Sequence, residues 1–262
     1  MTKPHTLIVG GTRGIGRALV RVLADENHVL SVIGRRPASD QDQGRSNVSY
    51  WCTDVANQKQ LLPTLDEIIH TNGKLHNLVF LQRYRGTGDD WIGEIEATLT
   101  ATRHVIDHSA REFSDTNGKA IVIVSSIASH FIAAEQPLSY HIAKAGLNQM
   151  IRYYAVELGP KGIRVNGVSP STILKDESKN FYLQNEQLLK LYKDITPLGR
   201  MGSSDEIAQV IAFLCSQKAS FITGQNIIVD GGVSLQGHEA LARQLTSMGR
   251  PKVSSQANET LT

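Results

Sequence analysis

Tyr140-His141-Ile142-Ala143-Lys144 puts a phenol and an ammonium four residues apart. In a helix, residues i and i+4 share one face, so both groups can reach one small volume. A free phenol titrates near pH ~10, too high for ready proton exchange at neutrality. A cation beside it favours the phenolate and makes the group a usable acid or base. The pattern alone is weak, because an exposed helix carrying Tyr and Lys by chance also satisfies it. Its weight comes from the rest of the chain.

A second constellation lies near the N-terminus. The β-rich run Thr6-Leu7-Ile8-Val9 leads directly into Gly10-Gly11-Thr12-Arg13-Gly14-Ile15-Gly16, and the next residues carry apolar side chains at helical spacing. Strand, glycine-rich turn and helix form the context that a dinucleotide-binding turn requires: glycines let the backbone approach a pyrophosphate, which rests on the helix N-terminus. The spacing is G-x-x-x-G-x-G rather than G-x-G-x-x-G. A purely structural turn remains the bland alternative, and the flanking strand and helix favour the nucleotide.

Elements that could position both constellations alternate along all 262 residues. Strands are expected near 6–9, 29–33, 48–53, 77–81, 120–125, 164–169 and 226–229. Helices are expected near 14–26, 57–71, 89–113, 139–159, 177–194 and 203–216. Seven strands with helical crossovers predict a single α/β domain over 1–248, a doubly wound, mostly parallel Rossmann sheet with helices on both faces. The segment 36–47 reads as a polar loop, and 249–262 as a flexible tail.

The formal charge of +2 is nearly balanced and implies no nucleic-acid or membrane partner. Cys52 and Cys215 sit in apolar surroundings and read as reduced core residues, with no disulfide or metal framework. No apolar stretch approaches the ~18–20 residues of a membrane span, and the N-terminus lacks a charged-then-apolar signal pattern. A cytoplasmic location is expected.

From about Thr6 to Gly232, the chain resembles the short-chain dehydrogenase/reductase family, of the compact single-domain type. Arg164-Val165-Asn166-Gly167-Val168-Ser169-Pro170 is similar to its R-V-N-x-x-x-P segment. Thr196-Pro197-Leu198-Gly199-Arg200-Met201-Gly202, with Glu206-Ile207-Ala208, is similar to P-L-x-R-x-G-x-x-x-E-I-A. Phe213-Leu214, Thr223-Gly224-Gln225 and Val229-Asp230-Gly231-Gly232 follow in the family's order. The resemblance implies an oxidoreductase that moves hydride between a nicotinamide and a carbonyl/alcohol pair. Tyr140 would transfer the proton, Lys144 would tune Tyr140 and hold the ribose, and Ser126 would bind the reacting oxygen. Ser125 is the competing serine at that strand end. The implied cofactor contacts are Gly10, Thr12, Arg13, Gly14, Ile15, Gly16, Arg35, Arg36, Asp54, Val55, Tyr140, Lys144 and Ile173. Asp54 also reads as a plain turn former.

The second strand ends Val32-Ile33-Gly34-Arg35-Arg36, without the acid that accepts a ribose 2′-hydroxyl. Arg35 and Arg13 together favour NADP, and with it carbonyl reduction. The resemblance further implies a homodimer or homotetramer built on the long helices 89–113 and 139–159. The expected partner is a small carbonyl or alcohol substrate.

The chain departs from the family at three places. Phe80-Leu81-Gln82-Arg83 replaces N-N-A-G, so the main chain is expected to shift or the pocket to change shape. Thr98 falls where the family's catalytic Asn holds a water. Ser171 and Lys175 replace residues that line the cofactor. These departures motivate two rival readings: a cofactor-binding regulatory or scaffold protein with little turnover, and an isomerase or dehydratase. Arg83-Tyr84-Arg85 suits recognition of an anionic substrate, although a solvated loop explains it more simply. His130-Phe131-Ile132 and the lid 171–195 are expected to line the substrate side.

Overall fold

A computed structural model describes residues 3–39, 42 and 44–246. β1 (His5–Val9), α1 (Gly14–Asp25), β2 (Val29–Gly34), β3 (Val48–Cys52), α2 (Gln58–Asn72) and β4 (Asn77–Phe80) form the first half. α3 (Asp90–Glu94), a π-helical turn (Ile95–Thr100), α4 (Ala101–Ser109), β5 (Lys119–Val124), α5 (Leu138–Leu158) and β6 (Ile163–Pro170) follow. The chain then runs through β7 (Ile173–Leu174), α6 (Lys179–Gln184), α7 (Glu186–Ile195), β8 (Gly202–Ser203), α8 (Ser204–Cys215), β9 (Asn226–Val229) and α9 (His238–Leu245).

The main sheet has seven strands in the order β3-β2-β1-β4-β5-β6-β9, with every pairing parallel. Strand order reverses between β1 and β4, and ligands of such sheets bind outside the strand ends at that point. Register aligns the ends: Val9 lies beside Ile33 on one side and Phe80 on the other.

Alternate strand residues feed two cores, as the two-residue strand period requires. Leu7, Val9, Leu78, Phe80, Ile121 and Ile123 pack with α2, α4 and α5. Ile8, Leu30, Val32, Val79, Val122 and Val124 pack with α1 and α8. Burial on both faces is why these strands are apolar throughout. The segment around Arg200 to Glu206 is structural. Ser203 and Glu206 form a capping box on α8, and Arg200 pairs with Glu206 at 2.6 Å.

Several expectations change. The helix predicted over 89–113 is divided by the π-turn, and Phe113 has left it to bridge Leu75. The helix predicted over 177–194 is two helices, because Asn185 breaks the first and its side chain accepts from Leu188 N–H at 3.1 Å to cap the second. Cys52 is exposed at the end of β3, an edge strand, whereas Cys215 is buried. The predicted core role therefore holds for Cys215 alone, whose thiol burial pushes up to about 12. The tail expected at 249–262 lies outside the described residues.

Candidate functional site

The turn between β1 and α1 is shaped for close approach. Gly10 has φ +87 and donates its N–H to Ile33 carbonyl at 2.8 Å. A Cβ at Gly10 would lie 2.7 Å from Gln82 N and 2.9 Å from Leu81 C, and one at Gly16 would collide with the Gly10 carbonyl. Only glycine fits either place. Thr12 packs over Gly34, so the turn rests on the end of β2. This contact brings Arg13, at the N-cap of α1, to the same rim as exposed Arg35 and Arg36.

An anion already occupies the N-terminus of α1. Glu177, from the segment after β7, accepts the Gly14 N–H at 3.1 Å, while Arg17 holds the adjacent Asp176 at 2.6 Å. A helix N-terminus offers unpaired N–H groups and positive potential to a negative ligand. The carboxylate therefore stands in for a phosphate oxygen, and the residues present fit a dinucleotide. Ile15 is half-buried at the turn, and Val55 and Ile173 are buried apolar residues. Asp54 spends one carboxylate oxygen on the N–H of Ala56 at 3.1 Å, so its turn-forming reading is realised.

The residues expected to transfer the proton gather at the end of β5. Ser125 is buried and donates its hydroxyl to the Lys144 carbonyl at 3.0 Å, which commits it to structure. Ser126 caps the short turn Ile127–Ser129, accepting from Ala128 N–H at 3.2 Å. That bond leaves the Ser126 hydroxyl proton available, whereas the Ser125 hydroxyl is already spent. Tyr140 and Lys144 lie one turn apart on α5, as their spacing predicts. Lys144 is 4% exposed and its Nζ donates to Val124 carbonyl at 3.0 Å, two residues before Ser126. The same ammonium lies 5.7 Å from the centre of the Tyr140 ring. Burial pulls Lys144 down to about 8, opposed by the negative charge of Glu94.

Glu94 was not found from the sequence, and it explains Thr98. It is 3% exposed at the start of the π-turn, and the fully buried Thr98 donates its hydroxyl to Glu94 Oε2 at 2.9 Å. Thr98 therefore supports a buried carboxylate that acts on the Lys144 charge. The only sequence signal is a Glu four residues before the position where an Asn was expected. π-turns of this kind recur at functional sites.

The departure at 80–83 leaves the main chain in line with the sheet. Leu81 N–H donates to Val9 carbonyl at 2.8 Å, continuing the ladder, and the chain passes directly beneath Gly10. The side chains of this segment then take separate places. Phe80 joins the core, and Gln82 reaches Thr102 at 2.8 Å. Arg83 lays its guanidinium 4.9 Å from the Tyr140 ring centre. Lys175 comes from the β7 side, its stem 3.2 Å from the Cβ position of Gly14. Burial and the charges of Arg85 and Arg83 push Lys175 down. His130 meets Asn148 at 3.3 Å, a scaffold contact. No described helix is long and apolar enough to cross a membrane.

The chain is similar to known proteins over most of its length. A family model described as enoyl-(acyl carrier protein) reductase matches residues 9–234. The 3-oxoacyl-(acyl-carrier-protein) reductase FabG of Aquifex aeolicus is 29% identical over 245 residues, covering 87% of this chain and 96% of its own. A tropinone reductase homolog of Arabidopsis thaliana is 32% identical over 249 residues, covering 88% of this chain and 79% of its own. The structure of ElxO with NADP bound shares the fold, with a TM-score of 0.76 at 23% identity and coverage of 90% and 100%.

Proposed function

The chain belongs to the short-chain dehydrogenase/reductase family, and we propose that it reduces a carbonyl to a secondary alcohol with NADPH. The observation that carries this reading is the convergence of Ser126, Tyr140 and Lys144 at the end of β5, beside the glycine turn. Family members use nicotinamide cofactors, and NADPH would supply the hydride. The chain's own groups do the rest. Ser126 donates a hydrogen bond to the carbonyl oxygen and polarises it. The Tyr140 hydroxyl delivers the proton to that oxygen, and the Lys144 ammonium stabilises the phenolate left behind. Arg13 and Arg35 meet the 2′-phosphate, which favours NADPH over NADH. The reductase names carried by the two relatives support carbonyl reduction, and the NADP in ElxO supports the cofactor. The protein is proposed to act in the cytoplasm as a homodimer or homotetramer.

Tyr140→Phe tests the mechanism against a non-catalytic, cofactor-binding role. With a substrate found from a panel of ketones, oxoacids and acyl thioesters, turnover should fall by ~10²–10⁴-fold. NADPH affinity should stay within about twofold, since the phosphate contacts lie elsewhere. Wild-type turnover by Tyr140→Phe would refute the mechanism.

A further inference from the structure

The cleft carries more positive charge than the proposed cofactor uses. Arg13, Arg35 and Arg83 all act on Arg85, and Arg83, Lys175 and Lys144 form a second linked group. The negative charges that act on Arg85, Lys144 and Lys175 are Glu94, buried near Lys144, and the exposed Glu177. Among the described residues, none of these six cations makes an ion pair. With Arg13 and Arg35 given to the 2′-phosphate and Lys144 to the ribose, Arg83, Arg85 and Lys175 remain.

Arg83 is the one placed at the chemistry. Its guanidinium covers the ring of Tyr140, centre to centroid 4.9 Å. It makes one long hydrogen bond, from Nη2 to Gln136 Oε1 at 3.4 Å, which leans it toward the 127–138 loop. Its Nε is buried and has no partner. A guanidinium presents five donors in a planar fork suited to two carboxylate oxygens, and a buried N–H without an acceptor is costly to keep. Gln136, as a neutral amide, leaves the charge uncompensated. A substrate carboxylate at the Nη groups would supply the missing charge and a stronger acceptor than the long bond to Gln136.

We infer that Arg83 is a specificity residue that binds the carboxylate of an oxoacid substrate, next to the carbonyl protonated by Tyr140. The inference rests on the carbonyl-reduction reading for the reaction, while the anion site itself rests on Arg83. The carboxylate takes no part in bond changes. The carbonyl carbon gains hydride as NADPH is oxidised, the C=O π bond opens, and the oxygen takes the Tyr140 proton, giving a hydroxyacid. Arg83 lies against the ring of the proton donor, so the carboxylate belongs close to the carbonyl, as in a 2-oxo or 3-oxo acid.

The test compares wild type with Arg83→Met and Arg83→Gln on 2-oxo and 3-oxo acids and their neutral methyl esters. NADPH affinity and the binding of oxamate, a non-reacting carboxylate, are measured by calorimetry, with folding checked by thermal melts. Wild type should prefer acid to ester, and the variants should lose about tenfold to a hundredfold in kcat/KM on the acid, mainly through KM. The loss on the ester should be at least about tenfold smaller than that on the acid, NADPH affinity should stay within about threefold, and oxamate binding should weaken at least about tenfold. Equal losses on acid and ester, no acid preference in wild type, or weakened NADPH binding with unchanged acid preference would each overturn the assignment. If no carbonyl consumes NADPH while oxamate binding still depends on Arg83, the carbonyl-reduction reading fails and the anion site stands. If wild type does not bind oxamate, the anion site itself is refuted.

Discussion

Glu177→Gln should make NADPH bind more tightly, although it removes a polar contact. In the free protein the Glu177 carboxylate accepts the Gly14 N–H at 3.1 Å, and Asp176 beside it is held by Arg17 at 2.6 Å. The proposed pyrophosphate needs that same N–H, so one anion must leave before the other enters. The lost contact is exposed, so it is small: a negative group at an exposed helix N-terminus contributes ~0.3–1 kcal/mol. Repulsion between a remaining carboxylate and the incoming phosphates acts in the same direction. Glutamine keeps the length and removes the charge, so the dissociation constant should fall by about twofold to fivefold at 1.4 kcal/mol per tenfold. Salt screens exposed charges, so the gain should shrink as ionic strength rises. Asp176→Asn should move affinity in the same direction by loosening the segment from Arg17. The assay is fluorescence titration of NADPH at two salt concentrations. Unchanged or weaker binding by Glu177→Gln would show that the carboxylate does not compete for this site.

Three further outcomes follow from the same charges. Arg35→Ala should weaken NADPH by about one to two orders of magnitude and leave NADH nearly unchanged, since a hydrogen bond to a charged group contributes ~1.5–3 kcal/mol; equal loss for both cofactors, measured by titration, counts against the 2′-phosphate contact. Lys144 is held at about 8 against an ordinary 10.5, so below pH 8 the fold bears the full cost of burying its charge, about 3 kcal/mol, and this cost fades as pH rises from 8 to 10.5. Lys144→Met should therefore stabilise the protein more at pH 7 than at pH 10 in thermal melts, and a constant difference across that range argues against a buried charge. Glu94→Gln removes the group that holds Lys144 up, so the alkaline limb of the turnover profile should move to lower pH; an unmoved limb separates Glu94 from Lys144.

Much of the scaffold was legible because its causes are local. Two-residue and 3.6-residue apolar periods mark faces, and the glycine turn needs the backbone geometry found at Gly10 and Gly16. The four-residue spacing of Tyr140 and Lys144 needs only a helix. The choice of Ser126 over Ser125 rested on resemblance. The physical reason, the bond from Ser125 to the Lys144 carbonyl, joins residues 19 apart and exists only once α5 packs on β5. The break at Asn185 and the exposure of Cys52 were missed for related reasons: a side-chain cap competes with helix periodicity, and edge position depends on strand order.

Charge placement was the least legible part. Glu94, Thr98 and Arg83 lie far from Lys144 and Tyr140 in sequence, and nothing in their spacing announces that they meet. Their arrangement nonetheless has one logic. A lysine only 4% exposed needs charge compensation that its single bond to the Val124 carbonyl cannot provide. Glu94 offers it from within the helix, and Thr98 keeps that carboxylate hydrogen-bonded. Arg83 raises the positive potential again, and Glu177 partly offsets it from the segment after β7. The negative charge nearest the open cleft therefore sits on a segment tied to α1 by exposed contacts, while the one behind Lys144 is locked in the core. An anionic ligand can displace Glu177 and leave Glu94 in place, so the site can exchange its outer anion without losing the inner one that keeps Lys144 charged.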